Sequence, residues 1–224
     1  MKRFVAIALL ALSGWTVVLL ARTPVQELRQ LVNDLDRNFS QMKNFSADFI
    51  QISGLSKTNL NQTREDSGHL YLAKDHKMRF EYQKPEVRLW VSNGKTVYSY
   101  DPEERTATKE QVKESTADML PLMYLVGQSG LKDKFEVTEV VRKPSFPGNR
   151  VLQLRLKKKN EDIKHIEIEV DPQRKLIVWM LIVDTADLTH QFIFTDIQTN
   201  SKIPDSRFEF TPPPGTRIRG AGPQ

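Results

Sequence analysis

Four histidines and a few neighbouring aspartates are the side chains in this chain that could carry acid–base or metal chemistry. They are His69, His76, His165 and His190, with Asp184, Asp187 and Asp196. The strand pattern places His69 at a strand start and His76 in a turn, while His165 and His190 fall at outward positions on separate strands. A metal site would need strand pairings that gather these rings, and the aspartates lack the spacing of a calcium-binding loop. We predict neither a metal ion nor a cofactor.

Catalysis has no candidate set of residues in the sequence. The chain has no cysteine, no Gly-x-Ser-x-Gly turn, no His-Glu-x-x-His pair and no glycine-rich phosphate loop. A chain without cysteine also lacks disulfides and the lipidated cysteine of bacterial lipoproteins, so its stability must come from an apolar core. We predict that the protein is not an enzyme and has no catalytic residue.

The charge distribution argues against a nucleic-acid partner. The net charge is +5, and removal of residues 1–21, which contain Lys2 and Arg3 but no acid, lowers it to +3. Elsewhere the basic residues alternate with acidic ones, and the dense run Lys157-Lys158-Lys159 lies in an apparent hairpin turn. A nucleic-acid footprint needs a broader basic stripe.

Residues 1–21 have the pattern of an export signal. Lys2 and Arg3 precede an uncharged, mostly apolar segment from Phe4 to Ala21. A basic start with an apolar core is typical of a cleaved signal peptide, but 18 residues also suffice for an uncleaved membrane anchor, since spanning needs about 17–25. Both alternatives place the rest of the chain outside the cytoplasm.

The elements that follow are one helix and then strands. Thr23, Pro24 and Gln26 have the types and spacing of a helix start with a capping box. Apolar residues then recur at helical spacing up to Met42, which predicts an amphipathic helix of about five turns lying on a sheet. From Phe45 onward the apolar residues alternate, and the stretch from Gly68 to Asp101 predicts an antiparallel meander with a type I′ turn at Asn93-Gly94.

An apolar insertion interrupts the strands between Ser115 and Gly127. It contains Met119–Val126 with an internal proline, Pro121, and predicts a short helix. Two interpretations stay open, because the helix can plug one end of a barrel as ordinary core or cover a soft ligand as a flexible lid.

Strands resume after Asp133 and continue to a last strand at Arg207–Phe210. About a dozen short strands with one helix before and one within them predict a mainly β antiparallel barrel or strongly curved sheet. We divide the chain into the signal segment 1–21, one domain over 22–218 and a disordered tail over 219–224. A large apolar face with an apolar cover suits lipid, since burial of acyl chains gains about 0.8 kcal/mol per CH₂ group.

Six sequence pieces resemble one known family, the periplasmic outer-membrane lipoprotein carriers (LolA). In chain order they are Phe45-Ser46-Ala47-Asp48-Phe49-Ile50-Gln51, Gly68-x-Leu70-x-Leu72, Phe80-x-Tyr82-x-x-Pro85, Val91-Ser92-Asn93-Gly94-Lys95-Thr96-Val97-Tyr98-x-Tyr100-Asp101-Pro102, Pro121-Leu122-Met123-x-Leu125 and Phe208-Glu209-Phe210-Thr211-Pro212-Pro213-x-Gly215. The resemblance covers nearly all of the chain after Arg22. It implies an incomplete antiparallel barrel of about 11–12 strands with an N-terminal helix, a short helical lid and a hydrophobic cavity for acyl chains.

The resemblance also implies site residues. The cavity wall would be Phe45, Phe49, Leu70, Leu72, Met78, Phe80 and Tyr82, and the lid face would be Leu120, Leu122, Met123 and Leu125. The family commonly has Arg-Pro after the second strand, where the arginine holds the lid shut, but this chain has Lys74-Asp75. Lysine is a point charge without a planar fork, so the latch is either Lys74 or Arg79, five positions later.

The function implied by the resemblance is that of a monomeric periplasmic shuttle for lipoproteins. Its partners would be acylated lipoproteins, an inner-membrane lipoprotein-releasing ABC transporter, and an outer-membrane acceptor or the membrane itself. The alternative on the same fold is a periplasmic regulator that senses or binds lipid or lipoprotein, or a carrier of another lipid.

Overall fold

Twelve strands and three helical segments form the architecture seen in a computed structural model of the protein, which describes residues 23–54, 63–112, 130–158 and 162–220. The helices are α1 (Pro24–Gln41), α2 (Leu131–Lys134) and a 3₁₀ helix (Asp205–Phe208). The strands are β1 (Asn44–Ser53), β2 (Arg64–Ala73), β3 (Lys77–Lys84), β4 (Arg88–Asn93), β5 (Thr96–Asp101), β6 (Thr106–Gln111), β7 (Phe135–Glu139), β8 (Arg150–Leu156), β9 (Ile163–Asp171), β10 (Leu176–Asp184), β11 (Thr189–Thr199) and β12 (Arg217–Gly220).

All twelve strands belong to one sheet in the order β12-β6-β5-β4-β3-β2-β1-β11-β10-β9-β8-β7. Neighbours pair antiparallel except β12, which runs parallel to β6. The pairing of β1 with β11 joins the two halves of the chain, and β12 and β7 remain as the two edges of an open sheet within the described ranges. The prediction of an incomplete barrel of about 11–12 strands with an N-terminal helix is confirmed.

The capping box predicted for α1 is present. The backbone N–H of Thr23 donates to Gln26 Oε1 (3.0 Å), and the backbone N–H of Gln26 donates to Thr23 Oγ1 (3.4 Å). At the other end of the helix, Asn38 Nδ2 donates to the carbonyl of Lys175 in the β9–β10 turn (2.7 Å). The helix is therefore fixed both locally and to the second half of the sheet.

The Asn93-Gly94 hairpin forms, but its turn is not type I′. Type I′ requires a positive φ at both central residues, and only Gly94 has one, at +89°, whereas Asn93 does not. The two connecting residues are Gly94 and Lys95, so the turn begins one residue later than predicted. Asn93 Oδ1 accepts from the backbone N–H groups of Lys95 (3.1 Å) and Thr96 (3.0 Å), which stabilises the turn.

Two predictions near the C-terminus are wrong. The strand expected at Arg207–Phe210 is a 3₁₀ helix over Asp205–Phe208, which packs beside β3 and β4, with Lys77 Nζ 3.0 Å from Asp205 Oδ1. The disordered tail was expected from residue 219, but the last strand, β12, pairs with β6 through Gly220. The tail is ordered this far because the backbone of β12 hydrogen-bonds to the open edge of the sheet at β6. The pattern of side chains in the sequence does not indicate such pairing.

Three predicted features lie outside the described residues. They are the signal segment 1–21, the insertion over 115–127 and the remainder of the tail, 221–224. Among the residues that are described, the structure contains no helix long and apolar enough to cross a membrane.

A buried carboxylate fixes the long connection between β7 and β8. Glu169 lies on β9 and is completely buried. Its side chain accepts hydrogen bonds from the backbone N–H groups of Ser145 and Phe146, both at 2.8 Å, and from Asn149 Nδ2 at 3.1 Å. These three donors satisfy the carboxylate and offset the free-energy cost of burying its charge.

We expect the Glu169→Gln substitution to lower the free energy of unfolding by about 2 kcal/mol, because the new amide NH₂ faces donors in place of an acceptor. Urea denaturation measures this. Glu167→Gln is the matched control on the same strand, since its ion pair with Arg142 and its contact with His165 are long (3.5 and 4.0 Å) and should contribute less than about 1 kcal/mol. Equal losses in the two variants would contradict the assigned role.

Candidate functional site

The predicted cavity residues lie together on one face of β1, β2 and β3. We call this the inner face, because it carries the buried apolar side chains of these strands. All seven predicted residues are between 0 and 7% exposed. They belong to one hydrophobic cluster with Leu31, Leu35 and Phe39 of α1. Their use as a wall for acyl chains stays a prediction.

Aromatic rings are concentrated at the centre of the inner face. Phe49 is the common member, with edge-on contacts to Phe80 and Tyr82 at centroid distances of 5.5 and 5.1 Å and a tilted contact to Phe192 at 6.4 Å. Gly68 pairs with both Phe49 and Tyr82 in the sheet, and the lack of a side chain there leaves room for the two rings to meet. Such ring pairs contribute about 0.5–1.5 kcal/mol beyond area burial.

The inner face becomes polar towards the end of the sheet where β1 ends and β2 begins. There the structure contains a cavity of about 250 Å³, which we call the Arg88 cavity. Its apolar walls are Phe80, Tyr82, Trp90 and Phe192, and its polar walls are Gln51, Ser53, Arg64, Asp66, Arg88 and His190. Apolar and polar groups therefore meet at one place on the inner face.

One buried carboxylate organises the charged side of this cavity. Asp66, with a side chain 4% exposed, accepts from Arg64 Nε (2.9 and 3.0 Å) and from an Arg88 terminal nitrogen (2.6 Å). Arg64 also pairs with Glu86 at 2.7 Å, and these bonds raise the pKa of Arg64 and lower the pKa of the exposed Glu86 carboxyl. The arginines are thus held in place by acids on either side.

Tyr82 links the aromatic and polar parts of the inner face. Its hydroxyl donates to Gln51 Oε1 (2.7 Å), Gln51 Nε2 donates to Ser53 Oγ (3.0 Å), and Ser53 Oγ lies 3.1 Å from His190 Nδ1. Burial raises the pKa of Tyr82 to about 12, and the nearby Arg88 guanidinium opposes that rise. The phenol therefore stays protonated well beyond the ordinary range of tyrosine.

This pKa predicts a loss of stability in strong alkali. The tyrosine of the unfolded chain releases its proton near pH 10, while folded Tyr82 keeps its proton to about pH 12. The unfolded state therefore binds fewer protons in this window, and stability falls as pH rises through it. We expect Tyr82→Phe to cost about 1 kcal/mol near pH 8. Near pH 11 the unmodified protein loses about 1.4 kcal/mol through ionisation of the tyrosine in the unfolded chain, so the difference should reverse and the variant should be slightly more stable. Urea denaturation of both proteins at the two pH values checks this, and a difference independent of pH would contradict it.

Two of the four histidines lie at positions other than those predicted. Among the described residues, no group of three histidine, aspartate or glutamate side chains could hold a metal ion. His190 lies on the inner face, opposite Ser53 and two residues before Phe192, and not at the outward position predicted for it. The prediction is wrong because Phe192, Ile193 and Phe194 form a continuous apolar run, so a period of two allows either face for His190, and the pairing of β11 with β1 decides between them. His69 lies within β2 and not at its start, where its Nδ1 is 2.6 Å from Asp48 Oδ1.

The predicted lid residues Leu120, Leu122, Met123 and Leu125 lie outside the described residues, so the lid stays a prediction. Of the two latch candidates, Lys74 is exposed in the β2–β3 turn. Arg79 alternates to the opposite face of β3 from Phe80, where its Nε donates to Glu81 Oε1 (2.5 Å) and a terminal nitrogen to the carbonyl of Arg207 (3.3 Å). The role of either residue as a latch stays a prediction.

Sequence reasoning missed the charged residues of the Arg88 cavity. From the sequence we predict no role for Arg64 or Asp66, although both continue the two-residue period of Gly68, Leu70 and Leu72 towards the strand start. Extending that period backwards would have placed them on the inner face. Their pairing with Arg88 needs the register of β2, β3 and β4, which has no signal in the sequence.

Two larger hollows lie over β9 and β10 on the face opposite to the cluster, with volumes of about 350 and 590 Å³. Their walls include Arg142, Lys164, His165, Glu167 and Asp187, which pair among themselves or with the loops around them. We assign the candidate site to the inner face because it joins large apolar walls to a few convergent polar groups.

The fold and the site define a class of protein: an open antiparallel sheet with an N-terminal helix and a large apolar inner face. The family model for the outer membrane lipoprotein carrier protein LolA matches residues 40–211. Because that match covers most of the chain, the protein belongs to the LolA family.

Individual relatives agree with this assignment at modest identity. The chain is 27% identical over 179 residues to an outer-membrane lipoprotein carrier protein from Chromobacterium violaceum, covering 80% of this chain and 82% of the relative. It is also 27% identical over 204 residues to a protein of the same name from Bordetella avium, covering 90% and 93%. A crystal structure of an uncharacterized conserved protein from Thermus thermophilus has the same fold, with a TM-score of 0.54 at 10% identity, covering 87% of this chain and 99% of that one.

Proposed function

We propose that this protein carries lipoproteins through the periplasm, binding their acyl chains on the inner face and passing them from the inner to the outer membrane. The inner face is the observation that carries the proposal, because seven large side chains from three adjacent strands cluster there and none of them is charged. Membership in a family of lipoprotein carriers supports the same function. The protein acts in this proposal by binding and transfer, without catalysis.

The size of the Arg88 cavity bears on how the cargo would enter. Its volume of about 250 Å³ is below the range of roughly 300–1,000 Å³ that holds a drug-sized ligand. Three acyl chains of about 16 carbons need far more room, so loading must separate side chains that contact one another in the structure. Acyl chains would then replace the contacts between α1 and the inner face.

The energetics of loading imply help from partners. Transfer of three such chains into an apolar site involves about 40 kcal/mol, but a bilayer offers most of that gain already. Release from the inner membrane therefore needs an energy source, for which an inner-membrane ABC transporter is the proposed partner. Delivery needs an outer-membrane acceptor or the membrane itself, and the carrier works as a monomer.

Release of lipoproteins from membranes tests this proposal. Purified protein is incubated with inner membranes that contain radiolabelled lipoproteins and active transporter. We expect labelled lipoprotein to appear in the soluble fraction in a complex with the protein, and serum albumin, an unrelated lipid binder, to release far less.

A second measurement separates the carrier from its alternatives on the same fold. The protein should bind a hydrophobic fluorophore, and purified lipoprotein should displace it. Binding without any release of lipoprotein would reject the carrier and favour a sensor or a carrier of another lipid. Absence of binding would reject all three.

A further inference from the structure

The Arg88 cavity has two arginines beside its aromatic walls. Its lining holds two guanidinium groups, Arg64 and Arg88, but one carboxylate, Asp66, which both of them share. Glu86 pairs with Arg64 from outside the cavity at 2.7 Å, and its side chain is 55% exposed. The lining by itself therefore has one more positive than negative charge, and Glu86 balances that charge at Arg64 from outside the cavity.

Among the described residues, Arg88 has an ion pair with Asp66 alone, and it shares that acid with Arg64. The Arg88 guanidinium lies over the Tyr82 ring, 4.8 Å from the ring centroid, which orients the planar fork. Its Nε–H is buried and has no hydrogen-bond partner in the part of the chain that the structure describes. A buried donor without an acceptor is unfavourable, so an acceptor oxygen supplied by a ligand would be stabilised there.

The surroundings of Arg88 indicate what else such a ligand must have. Tyr82 and Phe80 extend from the cavity towards Phe49, along the apolar part of the inner face. On the other side of the cavity Ser53 and His190 provide further hydrogen-bonding groups. A molecule that fits both parts has an acidic head and an apolar tail.

We propose that the Arg88 cavity binds the carboxylate or phosphate head of an anionic amphiphile, with the first methylene groups of its tail against Phe80 and Tyr82. Arg88 binds the head by a charge-assisted hydrogen bond, and Asp66 holds Arg88 in place. This ligand goes beyond lipoprotein carriage, because a free anionic amphiphile is not an acylated protein. The two proposals share the inner face alone, and either can fail without the other.

Calorimetric titration of the full chain with single-chain amphiphiles below their micellar concentrations tests the proposal. The probes are sodium laurate, dodecyl phosphate and neutral dodecanol. We expect laurate or dodecyl phosphate to bind about tenfold more tightly than dodecanol, the difference that one hydrogen bond to a charged group provides. Preference for laurate would identify a fatty-acid carboxylate as the head, and preference for dodecyl phosphate a lipid phosphate. Equal affinity for all three probes would overturn the proposal.

Variants locate the head group. In Arg88→Gln we expect the preference for the anionic probe to disappear. Arg155→Gln removes the same charge from the exposed surface, where Arg155 Nε bonds to Gln153 (3.1 Å), and should keep the preference. If circular dichroism shows that Arg88→Gln does not fold, Arg88→Lys is used instead, since it keeps the charge but lacks the Nε–H. In that variant the ratio of affinities for the anionic probe and dodecanol should fall about threefold. An unchanged preference in whichever variant folds would overturn the assignment.

Discussion

Replacement of Phe80 by glutamate should abolish lipoprotein loading and lower the free energy of unfolding by more than about 3 kcal/mol. Phe80 is 1% exposed and packs edge-on against Phe49, at a centroid distance of 5.5 Å. A carboxylate there would lose the packing of the ring against Phe49 in the empty protein and would face acyl chains in the loaded one. Urea denaturation measures the first effect, and release of labelled lipoprotein from membranes measures the second.

Two further variants separate loss of loading from loss of folding. Phe80→Leu keeps the site apolar, so it should lose some packing energy but still load lipoprotein. Gln83→Glu puts the same new charge on the exposed, opposite face of β3 and should change neither stability nor loading. Normal loading by a folded Phe80→Glu variant would show that the inner face does not contact acyl chains. Loss of loading in Gln83→Glu would show that an added negative charge prevents loading wherever it lies on β3.

Replacement of Gly68 by valine should destabilise the protein by at least about 3 kcal/mol, at the upper end of the cost of overpacking. A Cβ atom at this position would lie 2.0 Å from the carbonyl oxygen of Glu81 and 2.9 Å from Tyr82 Cα. These are backbone atoms of the neighbouring strand β3, so a side-chain rotation cannot relieve the collision. The pairing of β2 with β3 would have to separate, and with it the contact between Phe49 and Tyr82.

Gly220→Ala is the matched control for this prediction. A Cβ atom at Gly220 would have no neighbour within 4 Å among the described residues, and the position has no positive φ. Its free energy of unfolding should stay within about 0.5 kcal/mol of the unmodified protein. A Gly68→Val variant as stable as this control would mean that β2 and β3 approach one another less closely than the structure has them.

The two predictions concern a surface that must serve two states of the proposed carrier. The same apolar surface must be covered in the empty protein and available to acyl chains in the loaded one. In the structure α1 and the aromatic residues of the inner face belong to one hydrophobic cluster, so the protein's own side chains cover this surface when no ligand is bound. Apolar contacts are suited to such an exchange because they are non-directional, and acyl chains can replace side chains without leaving unpaired polar groups.

The sequence by itself determined the local elements and the family. The capping residues Thr23 and Gln26 predict where α1 begins, and alternation of Leu70, Leu72, Met78 and Phe80 identifies the face that is buried. These features depend on residues a few positions apart, so propensity and period report them directly. The six family pieces are equally readable, and the family match to residues 40–211 agrees with them.

The tertiary structure decided how the strands align and therefore which polar groups meet. β1 pairs with β11 about 150 residues further along the chain, and their register shifts between Ser46 and Asp48 near Asp196, which has φ +48°. Such a shift changes which residues of a strand face inwards. The apolar run over residues 192–194 allows either face for His190, and the pairing of His190 with Ser53 decides that it faces inwards. The Arg64–Asp66–Arg88 group likewise exists because β2, β3 and β4 align at one end. Alternation assigns faces within one strand, whereas register across distant strands is set by packing of the whole sheet.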